Sequence, residues 1–445
     1  LAVAHAWTLI YAGRLDVAES RVTIAESALA GQEVEDREQI AGHIATIRAY
    51  SAMLRADPER SLALANEALA RLPEDDVRAR GFAMGTLGAS FGASGDLEAA
   101  SRAYASALTL GRASKDGQVS VVTLGQMSNL HFVRGQLRRS AERCQEALQI
   151  LEAQARESGR RMPVEAFIHA NLSRVLYEWN DLQAAREHAE ESCKLCRLWG
   201  QKTIQAFCYM NLARALRVTG DAGGAFETIQ RSQQIASSVS AWQYEEARAW
   251  EAMLRLAQGE VATASLWAQE EQAPPASIGT LRGLLIYLTQ AKVLVAEGRV
   301  EQARPLLDYL LAAAGQAEAT GAKIDILVVQ ALALQAAGAQ DQALATLEKA
   351  LALAEPEGYV RTFVDAGAPM ERLLQQATAQ GIAGRYAHRL LAAMDILEPT
   401  GAEEKSLQIQ PASPPALLLL DPLSEREIEV LRLLATSLST QEIAS

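Results

Sequence analysis

Apolar residues recur at three- and four-residue spacings almost from one end of the chain to the other, the period of helices that each bury one face. Alternating strand patterns are nearly absent, Ala is very frequent and Pro is sparse, so the expected fold class is all-α. Small turn-forming residues interrupt the pattern at a steady beat: Gly13, Ala56 before Asp57-Pro58, Gly95, Gly135, Asn180, Gly220, Gly259, Gly298 and Gly338, at intervals of 39 to 45 residues. Such a beat is long for one helix and right for a pair, so each punctuator is expected to be the turn inside a helical hairpin. Seven residues before the turns stand Ala6, Ala49, Gly88, Ser128, Ser173, Ala213, Ala252, Ala291 and Ala331. Five residues after them stand Ala18, Ser61, Ala100, Ser140, Ala185, Ala225, Ala264, Ala303 and Ala343. Small residues at fixed offsets on both partners let two helix axes approach closely. Twelve residues past the turn the pattern continues with Ala25, Ala68, Ala107, Ala147, Ser192, Ser232 and Ala350, whereas Glu271 and Leu310 break it.

Thr86-Leu87-Gly88, Phe91, Gly95-Asp96-Leu97 and Ala100 resemble the helix, turn, helix signature of the tetratricopeptide repeat, as do Asn211-Leu212-Ala213 and Gly220-Asp221. The unit is about five residues longer than the usual 34 of that family. The resemblance implies a right-handed superhelical solenoid of about nine hairpins, since each hairpin can bury its apolar stripe only against its neighbours. Residues 1 to about 355 are assigned to the repeats and 356–397 to two or three closing helices, so that 1–397 form one helical-repeat sensor domain.

Beyond Leu397 the composition changes. Pro399, Pro411, Pro414, Pro415 and Pro422 remove backbone donors, and 398–421 read as a linker. In 422–445, Leu423-Ser424-Glu425-Arg426-Glu427-Ile428-Glu429-Val430-Leu431 is followed by Leu438-Ser439-Thr440-Gln441-Glu442-Ile443-Ala444. That string resembles the opening of the LuxR-type helix-turn-helix domain, with Thr436-Ser437 where the family usually has a nearby Gly. The recognition helix, which would enter the major groove, is not among these residues. Arg426 and Arg432 stand among Glu425, Glu427, Glu429 and Glu442, and the whole chain has a net charge of −12, so tight DNA binding is expected only through the remainder of that domain.

A second resemblance joins the two regions. Glu357-Gly358-Tyr359-Val360-Arg361-Thr362-Phe363-Val364-Asp365-Ala366-Gly367-Ala368-Pro369-Met370 is similar to a segment that follows the repeats in large ATP-dependent regulators of the MalT-like, LuxR-type class. The resemblance implies an upstream NTPase, a repeat region that takes an inducer, and self-association of the full-length protein. The chain starts at Leu1 rather than Met and contains no Gly-x-x-x-x-Gly-Lys-Ser/Thr phosphate cradle. ATP is therefore expected on the upstream domain by resemblance, with no cofactor on the residues present.

In tetratricopeptide-like stacks the first helix of each hairpin lines the concave groove, with positions about thirteen, six and three before the turn facing it. Those offsets select Phe82, Asn129, Phe132, Phe167, Arg174, Tyr177, Phe207, Arg214, Arg217 and Lys292, and the nine-before positions add Asn171 and Asn211. The ligand candidates are Asn129, Phe132, Asn171, Arg174, Tyr177, Asn211, Arg214 and Arg217. Guanidinium groups beside aromatic rings suit a small molecule or peptide carrying an acidic or hydrogen-bonding group on an apolar body. The alternative is that the rings belong to the core and the arginines pair with neighbouring acids. A rival function is a scaffold whose groove receives a peptide or a regulatory protein such as a repressor subunit.

Five of the six Trp lie between Trp179 and Trp267, where they either frame a pocket or fill wide gaps between helices. Cys193-x-x-Cys196, Cys208 and His188 lack a second closely spaced ligand pair, which favours buried thiols over a zinc site. No nucleophile and base stand at a recognisable spacing, so no catalytic residue is assigned. Four Cys in 445 residues and no long uncharged apolar run point to a reducing cytoplasm and away from a membrane.

Overall fold

The computed structural model describes residues 2–11, 14–30, 36–55, 57–114, 117–159, 161–198, 201–270 and 281–395. Contacts divide the chain after Leu397, and Leu1–Leu397 forms one compact unit. The expected linker and the LuxR-like string both lie outside the described residues.

Among the described residues there are no strands, and helices pair in the order the beat predicts. The nine hairpins are α1 and α2 (Ala2–Tyr11, Leu15–Ala30), α3 and α4 (Arg37–Leu54, Pro58–Arg71), α5 and α6 (Val77–Ser94, Leu97–Ala113), α7 and α8 (Gly117–Val133, Leu137–Ser158), α9 and α10 (Glu165–Glu178, Leu182–Leu198), α11 and α12 (Lys202–Val218, Ala222–Ala236), α13 and α14 (Ala241–Ala257, Val261–Glu270), α15 and α16 (Leu281–Ala296, Val300–Gln316), and α17 and α18 (Thr320–Ala336, Gln340–Ala354). Three short helices close the unit: α19 (Arg361–Val364), α20 (Gly367–Ala379) and α21 (Gly384–Asp395). No described helix is long and apolar enough to cross a membrane.

The turns work by one mechanism. Gly95, Gly135, Asn180, Gly220, Gly259, Gly298 and Gly338 all have positive φ, between 64° and 93°. The residue after each donates its N–H five residues back, as Asp96 does to Phe91 (3.0 Å) and Asp221 to Leu216 (3.0 Å), which ends the inner helix in a left-handed cap. Asp96 and Asp221 then accept from the N–H groups of Ala99 and Gly224 (both 2.9 Å) and start the outer helix. Gly13 and Ala56, the other two punctuators, lie outside the described residues.

The small residues meet where the offsets place them. Ser61 Oγ donates to the Ala49 carbonyl (3.0 Å), Ser140 Oγ to that of Ser128 (2.9 Å), and Ser173 Oγ to that of Ala185 (2.7 Å), each joining a position seven before the turn to one five after it. At Gly88 a Cβ would stand 2.7 Å from the Tyr104 ring, so the aromatic fills the space that the missing side chain leaves. Leu310, which departs from the small pattern, is fully buried all the same.

Hairpins far apart in sequence also pack together. The Ile10 carbonyl at the end of α1 accepts from Gln201 Nε2 (3.3 Å), and that of Leu54 in α3 accepts from Thr203 Oγ1 (2.8 Å) in α11. Helix α5 touches α15, α7 touches α17, and α9 touches α19. The third hairpin thus meets the eighth and the fourth meets the ninth, a superhelix of roughly five hairpins per turn. Its largest apolar core follows from this return: Leu124, Ile168 and Leu172 pack in one cluster with Ile324, Leu347, Phe363 and Leu390.

Candidate ligand-binding site

Curling the inner helices around an axis leaves a channel of about 1040 Å³. The register of its wall is regular. Positions six and three before the turn line it in every hairpin from the third, with Ala89 and Gly92, to the ninth, with Leu332 and Gln335. Two residues spaced by three lie on one helical face, so a single stripe per hairpin reaches the lumen.

The fourth, fifth and sixth hairpins bring the predicted residues together. Asn129, Phe132, Arg174, Tyr177, Asn211, Arg214 and Arg217 all line the channel, and so do Phe207 and Lys292. Asn171 does not: it is buried, and its Nδ2 donates to the Gly125 carbonyl (3.1 Å) of the neighbouring inner helix. Three residues from Arg174, it faces α7 rather than the lumen. Phe82 packs against Trp7 and Tyr50, with ring centroids 5.0 and 6.4 Å away. Phe167 lies against Phe207 at 5.8 Å and beside Gly125, where adjacent inner helices converge. Trp242 and Trp250 line the channel, whereas Trp179 donates Nε1 to the Glu357 carbonyl (2.9 Å).

The arginines differ in what they touch. Arg214 pairs with Glu178 (3.2 Å) and lies over the rings of Tyr177 (4.3 Å) and Trp250 (4.6 Å). Arg217 donates to the Tyr177 hydroxyl (2.8 Å) and pairs with Asp365 (3.0 Å). Arg174 donates Nη1 to Asn129 Oδ1 (2.8 Å) and sits over Phe132 (3.8 Å) and Phe207 (5.4 Å). Burial, with Arg214 nearby, pushes its pKa down to about 10, so at neutral pH it remains a cation held at an energetic cost.

The acids come from places the sequence reading left out. The segment after the ninth hairpin, 357–366, folds onto the end of α9 and closes the wall. Val360 N–H donates to the Glu178 carbonyl (2.8 Å), and Thr362 gives its N–H (3.2 Å) and hydroxyl (3.0 Å) to the Glu178 carboxylate. Tyr177 donates its hydroxyl to Asp365 (2.6 Å), and the buried Arg361 pairs with the same carboxylate. Burial pushes the Asp365 carboxyl up, but Arg217, Arg361 and Tyr177 outweigh it and hold it below the usual range. Glu178 goes the other way: burial, reinforced by Asp325 and Asp365, raises it despite Arg214 and Thr362. The Tyr359 hydroxyl, buried in the channel wall, has no partner among the described residues.

Part of this was findable. The thirteen-before offset that selects Phe207 also selects Glu246 and Asp325, which both line the channel. Glu178 and Asp365 had no such signal, because the fold brings them together across 187 positions. Cys193, Cys196 and Cys208 pack in a small core with Ala166 and Tyr209, and the described residues contain no cluster of three metal-ligating side chains.

Solved structures share the fold. A Rap protein complexed with Competence and Sporulation Factor superposes with a TM-score of 0.50 at 14% identity, covering 89% of this chain and 97% of that one. NprR in complex with its cognate peptide NprX gives 0.51 at 12%, covering 79% and 98%. The HTH-type transcriptional regulator MalT of Serratia proteamaculans (strain 568) is 24% identical over 463 positions, and that of Yersinia pestis (strain Pestoides F) 23% over 461. Both alignments cover 100% of this chain and 50% of the relative, so the chain spans about half the length of the curated relatives it matches. The family model for the MalT-like TPR region matches residues 42–380, and with the repeat register and closing segment described above it places this chain in the MalT-like TPR family.

Proposed function

We propose that the chain is the inducer-sensing and self-association module of a LuxR-type transcriptional activator, and that its inducer, a small molecule or peptide, binds in the central channel. The observation that carries this reading is the channel itself: an interior of about 1040 Å³ whose wall includes the segment that leads from the repeats into the closing helices. A ligand touching Tyr177, Arg217 or Tyr359 acts on the joint between two superhelical turns, and it shifts the conformational balance by its difference in affinity for the two states. In the full-length regulator, ATP on an upstream NTPase and DNA contacts from the rest of the C-terminal domain complete the cytoplasmic activator.

The second reading, a scaffold for a peptide or regulatory protein, is supported by the Rap and NprR structures, which share the fold and were solved with Competence and Sporulation Factor and with the cognate peptide NprX. A thermal-shift screen against sugars, carboxylic acids and short peptides separates the two. Stabilisation by a metabolite, with a change in the fluorescence of Trp242 and Trp250, supports sensing. Silence to every metabolite, with binding of a peptide or protein that leaves the Trp242 and Trp250 fluorescence unchanged, supports the scaffold and overturns the first reading.

A further inference from the structure

The arginines on the channel wall are not all paired directly with a carboxylate. Glu178 answers Arg214, and Asp365 is shared by Arg217 and Arg361. Arg174 has no carboxylate within ion-pair distance among the described residues; its polar contact is the neutral Asn129. A guanidinium carries five N–H donors in a planar fork, and removing such a group from water without an anion is unfavourable. The rings of Phe132 and Phe207 hold this one in place at the lumen. The fold therefore maintains a preorganised cation in an aromatic clamp with no carboxylate in direct contact, Glu246 and Glu178 acting on it only at longer range.

The rest of the wall has the opposite character. Leu256 of α13, Leu285 and Leu288 of α15, and Val329 and Leu332 of α17 all face the channel. A polyhydroxylated neutral ligand would leave hydroxyls unpaired against that surface, whereas an apolar body gains by covering it. We propose that the inducer is a carboxylate on an apolar body, its acid group paired with Arg174 and Asn129 and its body laid along the aliphatic wall of α13, α15 and α17. This rests on the channel being the sensor site and narrows what enters it. A free organic acid and the C-terminal carboxylate of a short apolar peptide share that chemistry.

The test is calorimetric titration of the chain with octanoate, 4-phenylbutyrate and N-acetyl-trileucine, each against its own primary amide, with a neutral trisaccharide alongside. An acid should bind at least about tenfold more tightly than its amide, as expected of a charge-assisted pair in a partly desolvated site. Whether the organic acids or the peptide acid respond identifies the source. Arg174→Met preserves length and ring contact, and should abolish the preference for acid while raising the melting temperature of the unliganded protein; Arg174→Lys should retain part of the preference. Equal binding of acid and amide, or binding of the trisaccharide alone, overturns the carboxylate assignment and leaves the sensor reading standing. No binding by any probe overturns the assignment together with its premise, and a lower melting temperature for a folded Arg174→Met protein makes the arginine structural and also overturns it.

Discussion

The joint between Asp365 and the end of α9 sets the most informative perturbation. Asp365→Asn preserves the shape and leaves an acceptor for the Tyr177 hydroxyl, but it strips the counter-charge from Arg217 and from the buried Arg361. Removing one partner of a fully buried ion pair costs about 3–5 kcal/mol. Here the Asp365 and Arg217 side chains are 26% and 22% exposed, so water recovers part of the loss. A cost of about 2–3 kcal/mol follows, which at about 1.4 kcal/mol per decade is a factor of roughly 30 to 150 in the opening equilibrium. The segment is short and terminal to the repeats, so the cost falls on local opening more than on global unfolding. Hydrogen exchange is the assay. The amides of Val360 and Thr362, which bond to Glu178, should lose protection by that factor, while amides in α5 and α6 remain unchanged. The pH dependence has a definite sign. The folded-state pKa of Asp365 lies below its unfolded value, so its contribution is fully present above the unfolded pKa near 3.8 and is lost as pH falls through the folded one. The variant and the parent should therefore converge at acid pH. Protection of Val360 within twofold of the parent at pH 7 would falsify the account of the joint.

Two further outcomes follow from other parts of the solenoid. Gly88→Leu drives a side chain into the Tyr104 ring, which a Cβ alone would meet at 2.7 Å, and should cost about 1–3 kcal/mol in urea denaturation; a cost below about 0.5 kcal/mol would contradict the close crossing of α5 and α6. His169 and His188 face each other Nδ1 to Nδ1 at 2.7 Å, and burial, then His169, lowers the pKa of His188. The unfolded imidazole takes up a proton near 6.5 while the folded one resists, so stability should fall as pH drops below about 6.5, and His188→Gln should flatten that fall. An unchanged pH profile for the variant would assign the loss elsewhere. Glu165, lowered to about 2 against burial by His169 and Arg161, titrates below this window.

Repetition made the fold readable. Helix period, turn beat and small-residue offsets are local properties, so Gly95 or Ser140 could be assigned without knowing where the rest of the chain goes. The same arithmetic placed Arg174 and Tyr177 on the lumen, because a helix fixes which residues share a face. It misplaced Phe82 and Phe167 from that wall, since position along a helix also matters where neighbours converge, and it put Asn171 on a groove that the residue does not reach. Nothing in the chain around Arg214 or Arg217 announces that Glu178 and Asp365 neutralise them.

The amino-acid order alone settles that this is a stack of helical hairpins, where each one turns and which stripe of each faces inward, because those depend on residues within about 40 positions of one another. The return of the superhelix on itself decides the remainder. Curvature summed over five hairpins brings the fourth against the ninth and the closing segment against α9, and only that long-range meeting determines that Arg214 and Arg217 are paired with carboxylates while Arg174 faces the lumen with no carboxylate in direct contact among the described residues.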